Sequence, residues 1–208
     1  MCTSHKGTTA HHVDSESLRI TELVNFFDSG RSVIVLADID TSRGFRKLFY
    51  SFGLELDEVG SQLKDNFNNI GDSKTIVTSQ LAQVHPFLTD KLKHGKIAYR
   101  GAGFKMVNFI NHQLFALAKG EHTTYSRSET LKRTERVGSD ITLVASVQGL
   151  NNARAVFTGS LDIFSDEFFS LPDLDNELLA DNLIRWSFKE SGILRVSNIK
   201  YYAVGKNS

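Results

Sequence analysis

The chain has 208 residues, with 24 lysines and arginines against 24 aspartates and glutamates, 40% apolar residues and two prolines. Zero formal charge argues against a bulk basic surface for nucleic acid or anionic lipid, and 23% charged residues is too few for intrinsic disorder. A chain of this length buries enough surface to hold without a staple, and Cys2 has no second cysteine to pair with.

Met1 to Asp14 is polar, rich in His and Thr, and lacks the apolar stretch of a signal peptide, so residues 1–14 are expected to form a flexible tail. Ile20, Leu23, Val24 and Phe27 then repeat at the spacing of one helical face over Ser15 to Ser29, and Gly30 is a helix stop. Val33 to Ala37 is the longest clean apolar run, far short of the ~20 residues that span a bilayer. A short run apolar on both faces suits a central strand of a parallel sheet. Asp38 to Ser42 reads as a polar turn, followed by a helix carrying Phe45, Leu48, Phe49 and Phe52 up to Gly53. Thr75 to Val77 and Lys96 to Tyr99 are strand candidates on either side of a loop with Pro86. Ile141, Leu143, Ala145 and Val147 alternate as in a half-buried strand, a turn follows at Gly149 to Asn152, and Ala155 to Phe157 makes the next strand. Leu179, Leu183 and Trp186 line one face of a helix from about Asp175 to Glu190, stopped by Gly192.

This pattern predicts an α/β domain over 15–192, layered, with a mainly parallel sheet and flanking helices, and an extended segment over 193–208.

The sharpest enzymatic lead is Asp38-Ile39-Asp40-Thr41-Ser42 at the carboxyl end of a predicted strand. Paired aspartates there are similar to the nucleophile and acid of haloacid-dehalogenase-type phosphotransferases, with Asp162 and Asp166 as candidate magnesium carboxylates. The competing reading makes these acids caps of the helices that follow. No lysine is identifiably placed to neutralise a phosphoryl intermediate. Other chemistry is weaker still. There is no Gly-x-Ser-x-Gly elbow, and Met106 stands where a dinucleotide loop beginning at Gly101-Ala102-Gly103 needs its third glycine. His5, His11 and His12 lack a further ligand at a metal-binding spacing. From Ala155 to Ile184 there are acids but no Lys or Arg, the composition of a solvated acidic face. Phe164, Phe168 and Phe169 interrupt those acids, either as core or as a partly exposed contact patch. The residues alone therefore point to no catalytic, cofactor or metal site.

The block Asn151-Asn152-Ala153-Arg154-Ala155-Val156-Phe157-Thr158-Gly159-Ser160-Leu161-Asp162-Ile163-Phe164-Ser165-Asp166-Glu167-Phe168-Phe169 resembles the signature of one family, the 48 kDa subunits of the oligosaccharyltransferase complex. Phe27 to Val33, Phe52 to Glu58, Tyr99 to Gly103, Arg185 to Val196 and Val204-Gly205 agree in order and spacing. The resemblance implies a non-catalytic subunit with a structural or recruiting role. Its complex transfers a dolichol-linked glycan to Asn in Asn-x-Ser/Thr at the lumenal side of the endoplasmic reticulum membrane. It implies no cofactor, other transferase subunits as partners, and membrane association through those partners or through a C-terminal helix. Family members carry an additional α/β portion, a β-rich region and a membrane helix, so the chain reads as the central part of such a protein, truncated at its start, with an incomplete Rossmann-like, class I amidotransferase-like fold. Asn66 replaces the histidine in a family pattern that keeps Asp65 and Asn68, and Ile163 replaces a phenylalanine. Capping and loop ordering then become the favoured roles of Asp38, Asp162 and Asp166. The alternatives are a magnesium-dependent phosphotransferase using Asp38 and Asp40, or a related scaffold module of another complex, such as those of intraflagellar transport.

Overall fold

A computed structural model describes residues 20–82, 92–107, 113–128 and 130–192. The expected tail 1–14, the loop around Pro86 and the segment 193–208 lie outside these residues. Residues 20–28 are helical (α1), followed by β1 (Val33–Leu36), α2 (Arg43–Ser51), β2 (Leu54–Leu56), β3 (Ser61–Lys64), β4 (Asn69–Ile70) and β5 (Asp72–Thr78). Then come β6 (Ile97–Tyr99), β7 (Phe104–Met106), β8 (Gln113–Lys119), β9 (Tyr125–Ser128), β10 (Arg133–Val137), β11 (Thr142–Gln148) and β12 (Arg154–Thr158). Two helices close the described chain, α3 (Asp166–Phe169) and α4 (Asn176–Ser187).

The structure overturns the mainly parallel, Rossmann-like sheet expected from the sequence. The largest sheet runs β1-β12-β11-β7-β2, with β8 also on β11, and its only parallel pair among the described residues is β1 with β12. Two further sheets, β10-β9-β3 and β4-β5-β6, are antiparallel throughout. Connection length decides this. A parallel neighbour needs a crossover of roughly a dozen residues, whereas β11 and β12 are joined by a tight turn at Gly149–Ala153. In that turn Asn152 takes a positive φ of 64°. Val33 to Ala37 is apolar on both faces because both faces are covered, and not because its neighbours are parallel.

Two cores lie on opposite sides of the large sheet. Phe27 from α1 and Leu48, Phe49 and Phe52 from α2 pack with Val35, Ala155 and Phe157. The rings interlock edge to face: Phe27 meets Phe52 at 4.9 Å, and Phe49 meets Phe157 at 5.1 Å. On the other side Leu179, Leu183 and Trp186 of α4 pack with Ile34, Val144, Val156 and Tyr99. The predicted apolar stripes are thus borne out except at Leu23 and Phe45, which are exposed, and Gly30 does end α1 with a positive φ of 88°. The start of α2 is capped by Ser42, whose Oγ accepts from the Phe45 amide at 3.4 Å.

The β6–β7 turn approaches the end of β12 more closely than side chains would permit. The Ala102 amide donates to Gly159 O at 2.8 Å. A Cβ on Gly159 would fall 2.2 Å from Ala102 O, and one on Gly101 would fall 2.2 Å from Gly159 O. Gly159→Ala should therefore cost about 3 kcal/mol in urea unfolding, through overpacking against backbone that cannot yield. Gly71→Ala, with positive φ but open space around it, should cost about 1 kcal/mol. Equal costs at the two positions would contradict this packing.

Candidate functional site

The signature block wraps the end of the large sheet, and its polar groups reach both helical layers. Asn151 Nδ2 donates to Phe27 O at 3.1 Å and Asp28 O at 2.7 Å, closing the C-terminal turn of α1, while its Oδ1 accepts from the Ala153 amide at 3.0 Å. Arg154, only 3% exposed, donates to Trp186 O and Ser191 O, both at 2.8 Å, and to Gly192 O at 2.7 Å. Its guanidinium also lies 5.0 Å over the Trp186 ring. A buried cation is tolerable here because carbonyls at a helix C-terminus carry partial negative charge. Burial alone pulls its proton affinity below the usual arginine range.

Further along, Ser160 Oγ donates to Arg100 O at 2.6 Å, and Arg100 answers with its side chain. Its Nε binds Asp162 at 2.6 Å, and its two terminal nitrogens take both oxygens of Glu167, at 3.0 and 2.8 Å. These bonds raise the Arg100 proton affinity, and in turn hold the Glu167 carboxyl below its ordinary range. Arg100 also stands 5.3 Å over the Phe168 ring.

The sequence-predicted acids are brought to one end of the sheet, but not into one cluster. Asp38 is exposed and accepts from the Ile39 amide at 2.7 Å within its own turn, while Thr41 Oγ1 accepts from the Asp38 amide. Asp40 is exposed, Asp162 is committed to Arg100, and Asp166 lies exposed in the first turn of α3. Among the described residues no group of three or more His, Cys, Asp or Glu is placed to hold a metal ion. The side-chain caps of α2 and α3 are Ser42 and Ser165 and not these acids, while Asp166 stands in the first turn of α3 and Asp38 orders its own turn. The acidic stretch is likewise not a uniformly solvated face. Asp175 is buried and accepts from the amides of Lys93, His94 and Gly95, at 3.1, 2.8 and 2.7 Å. Beside it Asn176 pairs with both backbone groups of Ala98 at 2.8 Å, docking the start of α4 on β6.

Two polar centres have a geometry that the sequence reading did not give. The first is the family pattern at Asp65 and Asn68, named there without a role. Asp65 Oδ1 accepts from the amides of Phe67 and Asn68, and Oδ2 accepts from the hydroxyls of Thr123 and Thr124, at 2.6 to 3.0 Å. Burial alone would raise this carboxyl, but those four bonds outweigh it and hold it below the ordinary range. Asn66, in place of the family histidine, is exposed on the same turn.

The second is a cleft of about 350 Å³ between Glu55–Glu58 on one side and Arg133–Arg136 on the other. Arg136 donates to Asp57 Oδ1 and to Glu55 O, the latter at 3.2 Å. Glu135 accepts from the Glu58 amide and from Ser61 Oγ, both at 3.0 Å, and Arg133 binds Glu58 at 2.9 Å. Asp57, 1% exposed, turns Oδ2 inward without a hydrogen bond of good geometry. Burial drives its carboxyl up to about 6, against the downward pull of the Ser126 hydroxyl and Arg136. Arg46 from α2 donates to the Leu56 and Asp57 carbonyls. The only hint in the sequence was that Asp57 sits inside the Phe52 to Glu58 segment.

With this geometry in place, comparison with known proteins gives the class first. Residues 8–190 match the family described as the OST48 N-terminal domain, and the chain belongs to that family. It is similar to dolichyl-diphosphooligosaccharide–protein glycosyltransferase 48 kDa subunits of three animals. The Danio rerio protein is 29% identical over 212 residues, covering 92% of this chain and 48% of the relative. The Caenorhabditis elegans protein is 29% identical over 211 residues (91% and 47%), and the Drosophila melanogaster protein 29% over 210 residues (90% and 46%). The chain thus spans about half the length of these curated relatives. Among solved structures, the mmIFT52 N-terminal domain shares the fold, with a TM-score of 0.63 over 86% of this chain and 73% of that one at 14% identity.

Two outcomes test the site. Phe168 is 1% exposed, so of the two readings of the aromatic cluster the core reading applies to it. Phe168→Ala should then cost about 3–5 kcal/mol in thermal or urea unfolding, and an unchanged stability would return it to a contact role. The chain should also fail to turn over an aryl phosphate with magnesium. A turnover that vanished in Asp38→Ala would reinstate the phosphotransferase reading.

Proposed function

We propose that this chain serves the oligosaccharyltransferase as an accessory, non-catalytic subunit of its lumenal part in the endoplasmic reticulum, where the complex moves a dolichol-linked glycan to Asn in Asn-x-Ser/Thr. The observation that carries the reading is the family match over residues 8–190, which takes in the whole signature block. The relatives are named as subunits of that transferase. The geometry is consistent with a supporting role. Asn151, Arg154, Ser160 and Asp162 spend their polar groups on helix ends and on Arg100, so the block acts as a set of internal clamps. The other transferase subunits are its partners, and membrane association comes through them or through a C-terminal helix like that of the family. Among the described residues no helix is long and apolar enough to cross a membrane.

Affinity purification of the tagged chain from cells that make the transferase tests this. Catalytic and anchoring subunits should co-purify in amounts comparable to the bait. Recovery of the folded chain alone, from an extract in which the remaining complex is intact, would overturn the proposal.

A further inference from the structure

Residues paired across an antiparallel ladder share a face, so the register of the β3–β9–β10 sheet sorts its side chains into two sets. The inward cations are matched: Arg133 and Arg136, opposite Ser128 and Ser126, reach across the cleft to Glu58 and Asp57. The outward set differs. One row is Gln62, Arg127 and Thr134, and the next is Lys64, Tyr125 and Val137, so this face carries two cations and no acid at any strand position. None of these side chains is buried, and Val137 is 55% exposed, so the face stands open among the described residues.

The second row is prolonged by an aromatic ring. Asp65 follows Lys64 in the chain, holds the Phe67 and Asn68 amides, and is itself held by Thr123 and Thr124, which directly precede Tyr125. Phe67 is thus carried at the Lys64–Tyr125–Val137 end of the sheet, 82% exposed, on a turn fixed by four bonds to one carboxylate. A turn ordered in advance loses little further freedom on association, which makes such a ring an effective anchor. Phe, Tyr and Arg are also the side chains that interfaces favour.

We propose that the outer face of the β3–β9–β10 sheet, with Phe67 at its end, is the surface by which this chain docks on a neighbouring subunit of the transferase. The matching segment of that subunit sets carboxylates against Lys64 and Arg127 and an apolar recess around Phe67. This rests on the accessory-subunit reading above and adds the place of contact. Charge decides the kind of partner: two cations with no acid beside them on the face select an acidic segment. Anionic lipid needs a denser cluster, of roughly four or more cations. The Asp65 and Asn68 pattern then has a role, because it holds the anchor in place.

Carbodiimide cross-linking of the complex, purified through the tagged 208-residue chain, reads this contact. The reagent joins an amine to a carboxylate without a spacer, so Lys64 Nζ should link to an Asp or Glu of another transferase subunit. Phe67→Ala and Arg127→Glu should each lower co-purification of that subunit roughly tenfold, with the urea midpoint of the chain unchanged. Lys47→Glu, on the exposed side of α2, changes the net charge equally and should leave co-purification intact. Should Arg127→Glu not fold, Arg127→Gln takes its place and should weaken co-purification in the same direction. Recovery of the unmodified chain without other subunits would overturn the accessory-subunit reading and the docking surface together. With those subunits present, the docking surface alone would be overturned by the absence of a link from Lys64 to any of them, or by links from Lys64 only to a second copy of this chain. Undiminished co-purification in Phe67→Ala or at Arg127, or an equal loss in Lys47→Glu, would overturn it as well.

Discussion

The rest of the fold depends on the close passage of two backbones, the Gly101–Gly103 turn and the Gly159–Ser160 segment. Where Ala102 N meets Gly159 O there is no room for a Cβ on either side. That contact seats the β6–β7 turn at the carboxyl end of β12. It thereby joins the small antiparallel β4–β5–β6 sheet to the large one and brings Arg100 beside Asp162 and Glu167. Tyr99, wholly buried behind it, donates its hydroxyl to Ala102 O at 2.8 Å and stiffens the same turn. Two short segments far apart in sequence, each resembling the 48 kDa subunit family, are thus two halves of one junction.

This changes how a signature block should be interpreted. Four of its polar residues, Asn151, Arg154, Ser160 and Asp162, act on the chain itself, two of them on helix ends and two on Arg100. Each is the sort of residue that a search for reactive chemistry singles out. Here the geometry engages them: the guanidinium of Arg154 donates to three carbonyl oxygens and lies over the Trp186 ring, and Asp162 is held by a guanidinium. Asp57 and Arg136, outside the block, also pair with each other, and one Asp57 carboxylate oxygen is left turned into the interior.

The helices were legible in the sequence because their stripes are long and regular: Leu48, Phe49 and Phe52 are buried, as are Leu179, Leu183 and Trp186. The strands β1, β5, β6, β11 and β12 were legible in part for the same reason. Pairing direction was not. An apolar run reports burial on both faces and says nothing about its neighbours' orientation, so Val33 to Leu36 fits a mixed sheet as well as a parallel one. Strands β3, β9 and β10 have sequences such as SQLK, YSRS and RTERV, with no apolar period to find. Apart from Leu63, their inward residues, Ser61, Ser126 and Ser128, are small and polar. The cleft was hidden with them, because half of it is built from β10. Five of the seven acids of the 155–184 stretch are exposed as expected, but Asp162 and Asp175 are not free surface groups, and their partners lie about sixty and eighty residues away in the chain.

Asn151 in the β11–β12 turn and Arg154 at the start of β12, three positions apart, hold the end of α1 on one side of the large sheet and that of α4 on the other. Neither helix can fray from its C-terminal end without releasing a bond to the same short loop, and that loop also sets the register of β11 against β12. The two outer layers should therefore come apart as a single cooperative unit and not peel away one after the other. A chain so wired should populate no intermediate in which one face is stripped while the opposite face remains dressed.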